Sequence, residues 1–473
     1  MADSYSHETL VEGMWQERWG VKFKWTSEHT TPQQLETLIH SYDRVATEAV
    51  ERLDDIAPPH TKAPPKADEE QKPCRDKYEL LQEYASKDEK IKRLWIEVNT
   101  VPEWVDWDQI ERGQKIFFRY GGPATTALTL CSLIGGMAFG RAAETLDRTG
   151  GFDVKTVRHR LLQTTQHTIN VHRDLKSIQP GGDGFVDSLH AAVRRRIMQM
   201  ALQRPEYYDV AKYGVPINDL DSIITLCEFS TAIMWVGLPR QGIFMRQQEI
   251  VDYLALWRYV AYIMGAPHDW MATPELAKRM TESLILKIQP SPASANLANN
   301  IITGLGGRAP TYSSREFMCA LAYWLVGRDL SEKLEIDRPS LYYFSLVLGQ
   351  CLLFMTICYV NRSFAWLDER NINASSTYLS SLALLVLLFT FNTIFLEDTS
   401  KGGLGYKSRF LFKYIPQFDK MSTERGATNT GFGVRKPGIE RRALLFLISF
   451  STLAVIGVWY CYKVLTWALR QVF

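Results

Sequence analysis

The stretch 186-VDSLHAAVRRRI-197 carries the problem of this chain in twelve residues. Val186, His190, Val193 and Ile197 recur at i, i+4, i+7 and i+11, which puts them on one face of a helix. A histidine on such a face must satisfy its ring nitrogens with a backbone carbonyl, a carboxylate or a metal. From these residues alone, His190 reads first as a satisfied core histidine and second as a ligand. The flanking segments 141-RAAETLDRTGGF-152 and 157-VRHRLLQTTQHTINV-171 also have helical spacing. Glu144 and Arg148 lie one turn apart on a helix that Gly150-Gly151 terminates. Arg160 and Thr164 share a face of the next helix at i, i+4. Together these residues predict a polar pocket inside a helical bundle.

The rest of the chain agrees with an all-α reading. Strand-like alternation is scarce, and apolar helical patterns alternate with short breaks such as GGP, TGG, QPGGDG and GAP. Residues 1–56 read as a small helical or partly ordered arm. Residues 57–72, APPHTKAPPKADEEQK, read as a solvated linker, and 73–337 as the main helical domain. The N-terminus lacks an apolar stretch, so no cleaved signal peptide is expected. A net charge of +2 offers no strongly basic face for nucleic acid. The seven scattered cysteines form no CxxC, hence neither a disulfide framework nor a zinc site. The uncharged run 121-GGPATTALTLCSLIGGMAFG-140 is rich in small residues and reads as a core helix beside a bound group.

Residues 338–473 differ. Three uncharged runs, 341–360, 378–396 and 443–462, have the length of a bilayer core. The last is flanked by Arg441, Arg442 and Lys463, with Trp459, Tyr460 and Tyr462 at its end. The loop 397–442 holds ten Lys/Arg against five acids, while 361–375 holds two of each sign. The positive-inside rule then places 397–442 and the main domain in the cytoplasm and 361–375 in the lumen. Both N-x-S/T sequons, Asn361 and Asn373, fall in that second loop.

Two motifs mislead. The run 172-HRDLKSIQ-179 imitates a kinase catalytic loop but lacks the phosphate loop, strand lysine, DFG and APE that phosphoryl transfer requires. His167 and His172, five apart, do not share a helix face as a metal pair would.

Several co-linear blocks are more specific. The segments 101-VPEWVDWDQIERGQKIFFRYGG-122, 132-SLIGGMAFGRAAETLDRTGGF-152, 181-GGDGFVDSLHAAVRRRI-197, 214-GVPINDLDSIITLCEFSTAIMWVGLPRQGI-243, 250-IVDYLALWRYVAYIMGAP-267 and 318-MCALAYWLVGRDLSEKLEI-336 resemble the rubber oxygenase family. That family includes the latex clearing proteins and the ER-bound mpaB-type fungal oxygenases. The resemblance covers roughly residues 100–337 and implies an all-helical domain holding haem b. It implies His190 as proximal iron ligand, with Arg194 within reach of the haem propionates. It also implies Glu144 as a distal base, and Arg160 and Thr164 as residues shaping the pocket. Gln163 stands where latex clearing protein has a lysine able to reach the iron, so an open or water-bound distal position is expected. No CxxCH motif is present, so the haem would be held non-covalently. The expectation is a haem b oxygenase on an internal membrane, the endoplasmic reticulum by resemblance, with its catalytic domain facing the cytoplasm. It would act with dioxygen on a hydrophobic, isoprenoid-like small molecule, with the redox partner unspecified. Glu144, desolvated in an apolar pocket, would be its base. The alternative is a helical membrane protein that binds haem without catalysis or serves a structural role.

Overall fold

The computed structural model describes residues 10–57, 76–148, 152–154, 156–193, 208–308, 312–377 and 438–472. Its helical core starts from ordinary local signals. Asp106 caps the helix α3 (Trp107–Arg119), its side chain accepting from the amides of Asp108 and Gln109. The spacing of Ile110, Phe117 and Phe118 turns their side chains inward. Burying a side chain such as Phe117 contributes about 1.5–3 kcal/mol. Helix α3 packs on α8 (Gln247–Ile263). The two backbones approach so closely that a Cβ at Gly113 would lie 2.3 Å from the Asp252 carbonyl oxygen.

One large apolar cluster surrounds this pair. It takes in Ala46, Val50 and Leu53 of α1 (Arg44–Ile56), Ile91 and Leu94 of α2 (Glu89–Asn99), and Ile223 and Leu226 of α7 (Asp219–Phe229). A second cluster forms around α10 (Pro292–Leu305) and α11 (Arg315–Val326), with Leu297, Ile301, Phe317 and Leu325 fully buried. Phe139 packs against both clusters and marks the seam between them.

The described residues are helical apart from one hairpin, which the helical-arm expectation for residues 1–56 missed. Strands β1 (Trp15–Arg18) and β2 (Val21–Lys24) pair antiparallel, Arg18 opposite Val21. Trp19 and Gly20 connect them with φ of 53° and 72°. Two positive φ values in a two-residue loop match the right-handed twist of the strands. The run 121–140 is buried helix, as expected, but it is broken. Residues Gly121–Thr126 and Leu133–Met137 are α-helical, and Ala127–Ser132 between them forms a wider π turn. A second π segment, Ile233–Gly237, packs against it.

The tail departs from the topology expected of it. Helix α12 (Leu341–Ser363) has a mean hydropathy of 1.8 and the length of a span. One of its faces, however, lies on the domain. Val347 and Cys351 are buried, and Tyr359 Oη donates to the Gly242 carbonyl at 3.0 Å. Arg362 donates to Tyr120 Oη at 2.9 Å and to the Phe244 carbonyl at 2.7 Å. Residues 365–377 form a further helix. Asp368 in it ion-pairs with Arg119 of α3 at 2.7 Å, and Asn371 donates to the Arg119 carbonyl at 3.0 Å. Arg119 also pairs with Glu249 of α8 at 3.0 Å. The segment 361–375, expected across a membrane from the main domain, therefore touches that domain, and 341–360 is not a free-standing span. The charge count misled because Arg362 and Asp368 partner the domain rather than marking a side of a bilayer.

Helix α13 (Gly438–Val472) packs against α12 and contains the run 443–462. The expected span 378–396, the linker 57–72 beyond residue 57 and the loop 397–437 lie outside the described residues. A pair of helical stretches bent at their junction, Asp219–Phe229 and Ile233–Arg240, is also long and apolar enough for a broken span. Leu220, Ile224, Ile233 and Met234 bury it in the core instead.

Arg119→Ala is expected to strand the largely buried Glu249 and Asp368 carboxylates and to destabilise the fold by about 3 kcal/mol. Residues 365–377 should become protease-sensitive first. Unchanged melting together with unchanged cleavage would remove the clasp assigned to Arg119.

Candidate functional site

Three helices carry the described residues singled out from the sequence. Glu144 lies on α4 (Gly140–Arg148), and Arg160, Gln163 and Thr164 on α5 (Val157–Arg173). His190 lies on α6 (Asp183–Val193), with its side chain outside the described residues, as is Arg194 altogether. Helix α10 packs against both α4 and α5, which sets these helices in one bundle.

Helices α5 and α6 are clasped by polar contacts. His167 Nε2 lies 3.0 Å from Ser188 Oγ, and Asn170 donates to Asp187 at 2.7 Å. Those bonds fix the helix bearing His190 against the helix bearing Thr164. Thr164 turns its hydroxyl back to the Arg160 carbonyl at 3.2 Å. The Arg160 guanidinium stands 5.7 Å from the centre of the Phe152 ring. Residues 160–167 are all half-buried, Leu161 and Leu162 included. Leu161 packs against the second apolar cluster from this half-buried stretch.

Glu144 differs from its expected setting. It is half-buried and ion-paired to Arg148 at 3.1 Å, while Arg148 also donates to the Glu144 carbonyl and stacks 4.9 Å over Tyr213. A guanidinium one turn away, rather than an apolar pocket, surrounds this carboxylate. Next to it Arg141 ion-pairs with Asp221 of α7 and donates to the Tyr213 carbonyl at 3.0 Å.

The carboxyl that does sit among apolar groups is Glu228 of α7, which the sequence reading passed over. It makes no hydrogen bond among the described residues. Burial first, and the Asp221 charge second, push its pKa well above the ordinary carboxylate value. It lines a cavity of about 100 Å³ at the seam between the two apolar clusters. A signal was present in the sequence: Glu228 is the sole charge between Asp221 and Arg240.

The two histidines set aside as ordinary differ from each other. His167 bonds Ser188 as above. His172 is fully buried, its Nδ1 on the Thr168 carbonyl at 2.7 Å and its Nε2 without a partner among the described residues. Burial pushes its pKa down to about 3, so it is neutral. Phe117 and Tyr253 stack on it at 4.7 and 5.7 Å.

Residues 118–347 match the model of a catalytic domain described as ER-bound oxygenase mpaB/B'/Rubber oxygenase. The fold is similar to that of latex clearing protein in its closed state. The TM-score is 0.53 and the identity 13%, over 77% of this chain and 95% of the other. No curated protein matches the chain.

Proposed function

We propose that the chain is a haem b-dependent oxygenase that uses dioxygen on a hydrophobic, polyisoprene-like substrate. The match to an oxygenase family model supports the reaction class. The observation that carries the cofactor is the half-buried stretch 160–167 clasped to the helix of His190. That arrangement brings the helix that carries His190, an imidazole donor, alongside α5. His190 would hold the iron, Arg194 a propionate, and Gln163, an amide and a poor metal ligand, would leave the opposite face open. When bound, haem supplies dioxygen activation, which no side chain can.

The protein's part is position and proton handling. Arg160 and Thr164 border the reacting end of the substrate. Glu144, given a fixed direction by Arg148, takes an allylic proton; accepting it releases the ion pair. Glu144→Gln is expected to keep the visible absorption of the holoprotein and to lower oxygen-dependent turnover of an isoprenoid test substrate by about 10²–10⁴-fold. Turnover within a few-fold of wild type would remove the role. A protein that binds haem without catalysis is the competing reading, supported by Gln163; the wild-type turnover assay decides between them.

Attachment to a membrane, with the endoplasmic reticulum as the proposed site, would run through α13. Its Leu445, Ile448, Leu453, Ile456 and Trp459 are all exposed. The outer face of α12 adds exposed Leu348, Ile357 and Val360. So large an apolar surface needs a lipid or protein cover. The full chain should resist extraction by alkaline carbonate, and a chain ending at residue 437 should be released more readily. Equal extraction of both would refute α13 as the anchor.

A further inference from the structure

Helices α12 and α13 meet and then part. Gly349 lets them meet: a Cβ there would lie 2.4 Å from the Ala443 carbonyl oxygen. Beyond that crossing α13 leaves the domain. Leu453, Val455 and Ile456 point at three different angles around it, and each is more than half exposed. Helix α12 instead stays on the domain, with Cys358 buried and Arg362 bonded to Tyr120. Gly349, Thr356 and Val360 share one face of α12, at i, i+7 and i+11. The face that α13 covers at Gly349 is therefore bare at Thr356 and Val360, both exposed.

This bare face ends in an aromatic edge. Phe364 and Trp366 follow α12, and both are more than half exposed. Phe244, equally exposed, is held at the same end of α12: its amide donates to Tyr359 Oη at 3.2 Å and its carbonyl accepts from Arg362. Arg246 reaches the Arg362 carbonyl at 3.0 Å and is exposed, as is Arg370. The run 378–396, uncharged and of bilayer length, begins where the helix 365–377 ends. The chain thus turns toward lipid on both sides of this edge, through α13 and through 378–396. Aromatic rings with arginines at their margin suit the headgroup layer between water and hydrocarbon, and a contiguous apolar edge of this kind needs a cover.

We propose that the C-terminal half of α12, with Phe244, Phe364 and Trp366, rests in the headgroup layer of the phospholipid bilayer that α13 enters. Helix α12 lies along the membrane surface, whereas α13 runs into it. The apolar stripe of Ile357, Val360 and Phe364 faces the acyl boundary, and Arg246 and Arg370 face lipid phosphates. Ser363 lies about 21 Å from Gly349 along the helix axis. Seat and anchor therefore hold the domain at two separate points, which fixes its tilt on the membrane. The seat rests on α13 being the anchor, and the test below separates the two.

The full chain is reconstituted into phosphatidylcholine nanodiscs with a nitroxide at Phe364→Cys, Leu453→Cys or Glu89→Cys. Labelled wild type gives the background from native cysteines, and Trp366→Cys serves as a second position on the edge. Collision with oxygen, which concentrates in lipid, is compared with collision with a water-soluble nickel chelate. Glu89 of α2, 87% exposed, reports water, and Leu453 should report the bilayer interior. For a label about 5–10 Å into the headgroup boundary, the oxygen-to-nickel ratio at Phe364 should exceed that at Glu89 at least about fivefold. A ratio at Phe364 and Trp366 equal to that at Glu89, with Leu453 lipid-like, would overturn the seat and leave the anchor. Little collision with either reagent at Phe364 would overturn it as well, since protein rather than lipid would then cover the edge. Leu453 reading as water would remove the anchor, and the seat with it.

Discussion

His190→Ala should yield a folded protein that has lost its Soret band. Haem-supplemented wild type should show the band, and free imidazole in the buffer should restore it to the variant by filling the vacated position. A neutral imidazole offers one nitrogen lone pair to iron and needs its other N–H held by an acceptor. The clasp between α5 and α6 supplies the rigidity that such a bond demands, through His167–Ser188 and Asn170–Asp187. His172 is the instructive control. It too is neutral, and its Nε2 is unpartnered among the described residues. Stacking by Phe117 and Tyr253 leaves no room for a macrocycle beside it. His172→Phe should therefore leave the Soret band in place. A wild type colourless after supplementation, or a band that survives His190→Ala and vanishes with His172→Phe, would move the iron away from α6.

The second large effect is on stability, and its sign follows from Glu228. The folded carboxyl titrates well above the ordinary value near 4.5 because burial penalises its charge. At pH below 4.5 it is protonated in both folded and unfolded chains, and pH has no leverage. Above 4.5 the unfolded chain ionises while the folded one stays neutral. Each pH unit in that window then costs the folded state up to about 1.4 kcal/mol. The loss stops growing once pH passes the folded pKa. Glu228→Gln removes the titration and keeps the shape. The variant should melt close to wild type near pH 4.5 and progressively above it toward neutral pH. A melting difference that stays constant over this range would place the Glu228 carboxyl in contact with water or a cation.

The helical class was legible in the sequence because apolar spacing and caps are local. Asp106 before Trp107, and Ser314 before Arg315, are such local caps in the structure. The hairpin was legible in principle: Trp-Gln-Glu-Arg and Val-Lys-Phe-Lys alternate around Trp19-Gly20. It was missed because glycine at one of two turn positions is a weaker signal than at both. The setting of Glu144 was half legible. Arg148 one turn on was visible, but how far it would screen an apolar pocket depends on Tyr213, 69 positions away. Glu228 was the reverse case. Its charge in an apolar run was visible, whereas the cavity that gives it meaning is assembled from the N-terminal hairpin, both π segments and α11. The fate of 361–375 depended on partners far off in sequence, Arg119 and Tyr120 about 250 residues earlier among them.

The two π turns have one further consequence. Each carries one residue more than a regular helix would over the same span. The first ends on Ser132 and the second brings Val236 to the cavity wall. Excising a single residue from 127–132 would let the backbone relax to ordinary α geometry. The segments on either side would keep their places, because the wide turn absorbs its extra residue locally. The two π turns thus mark positions along this wall where one codon can be gained or lost without displacing the helices that flank it.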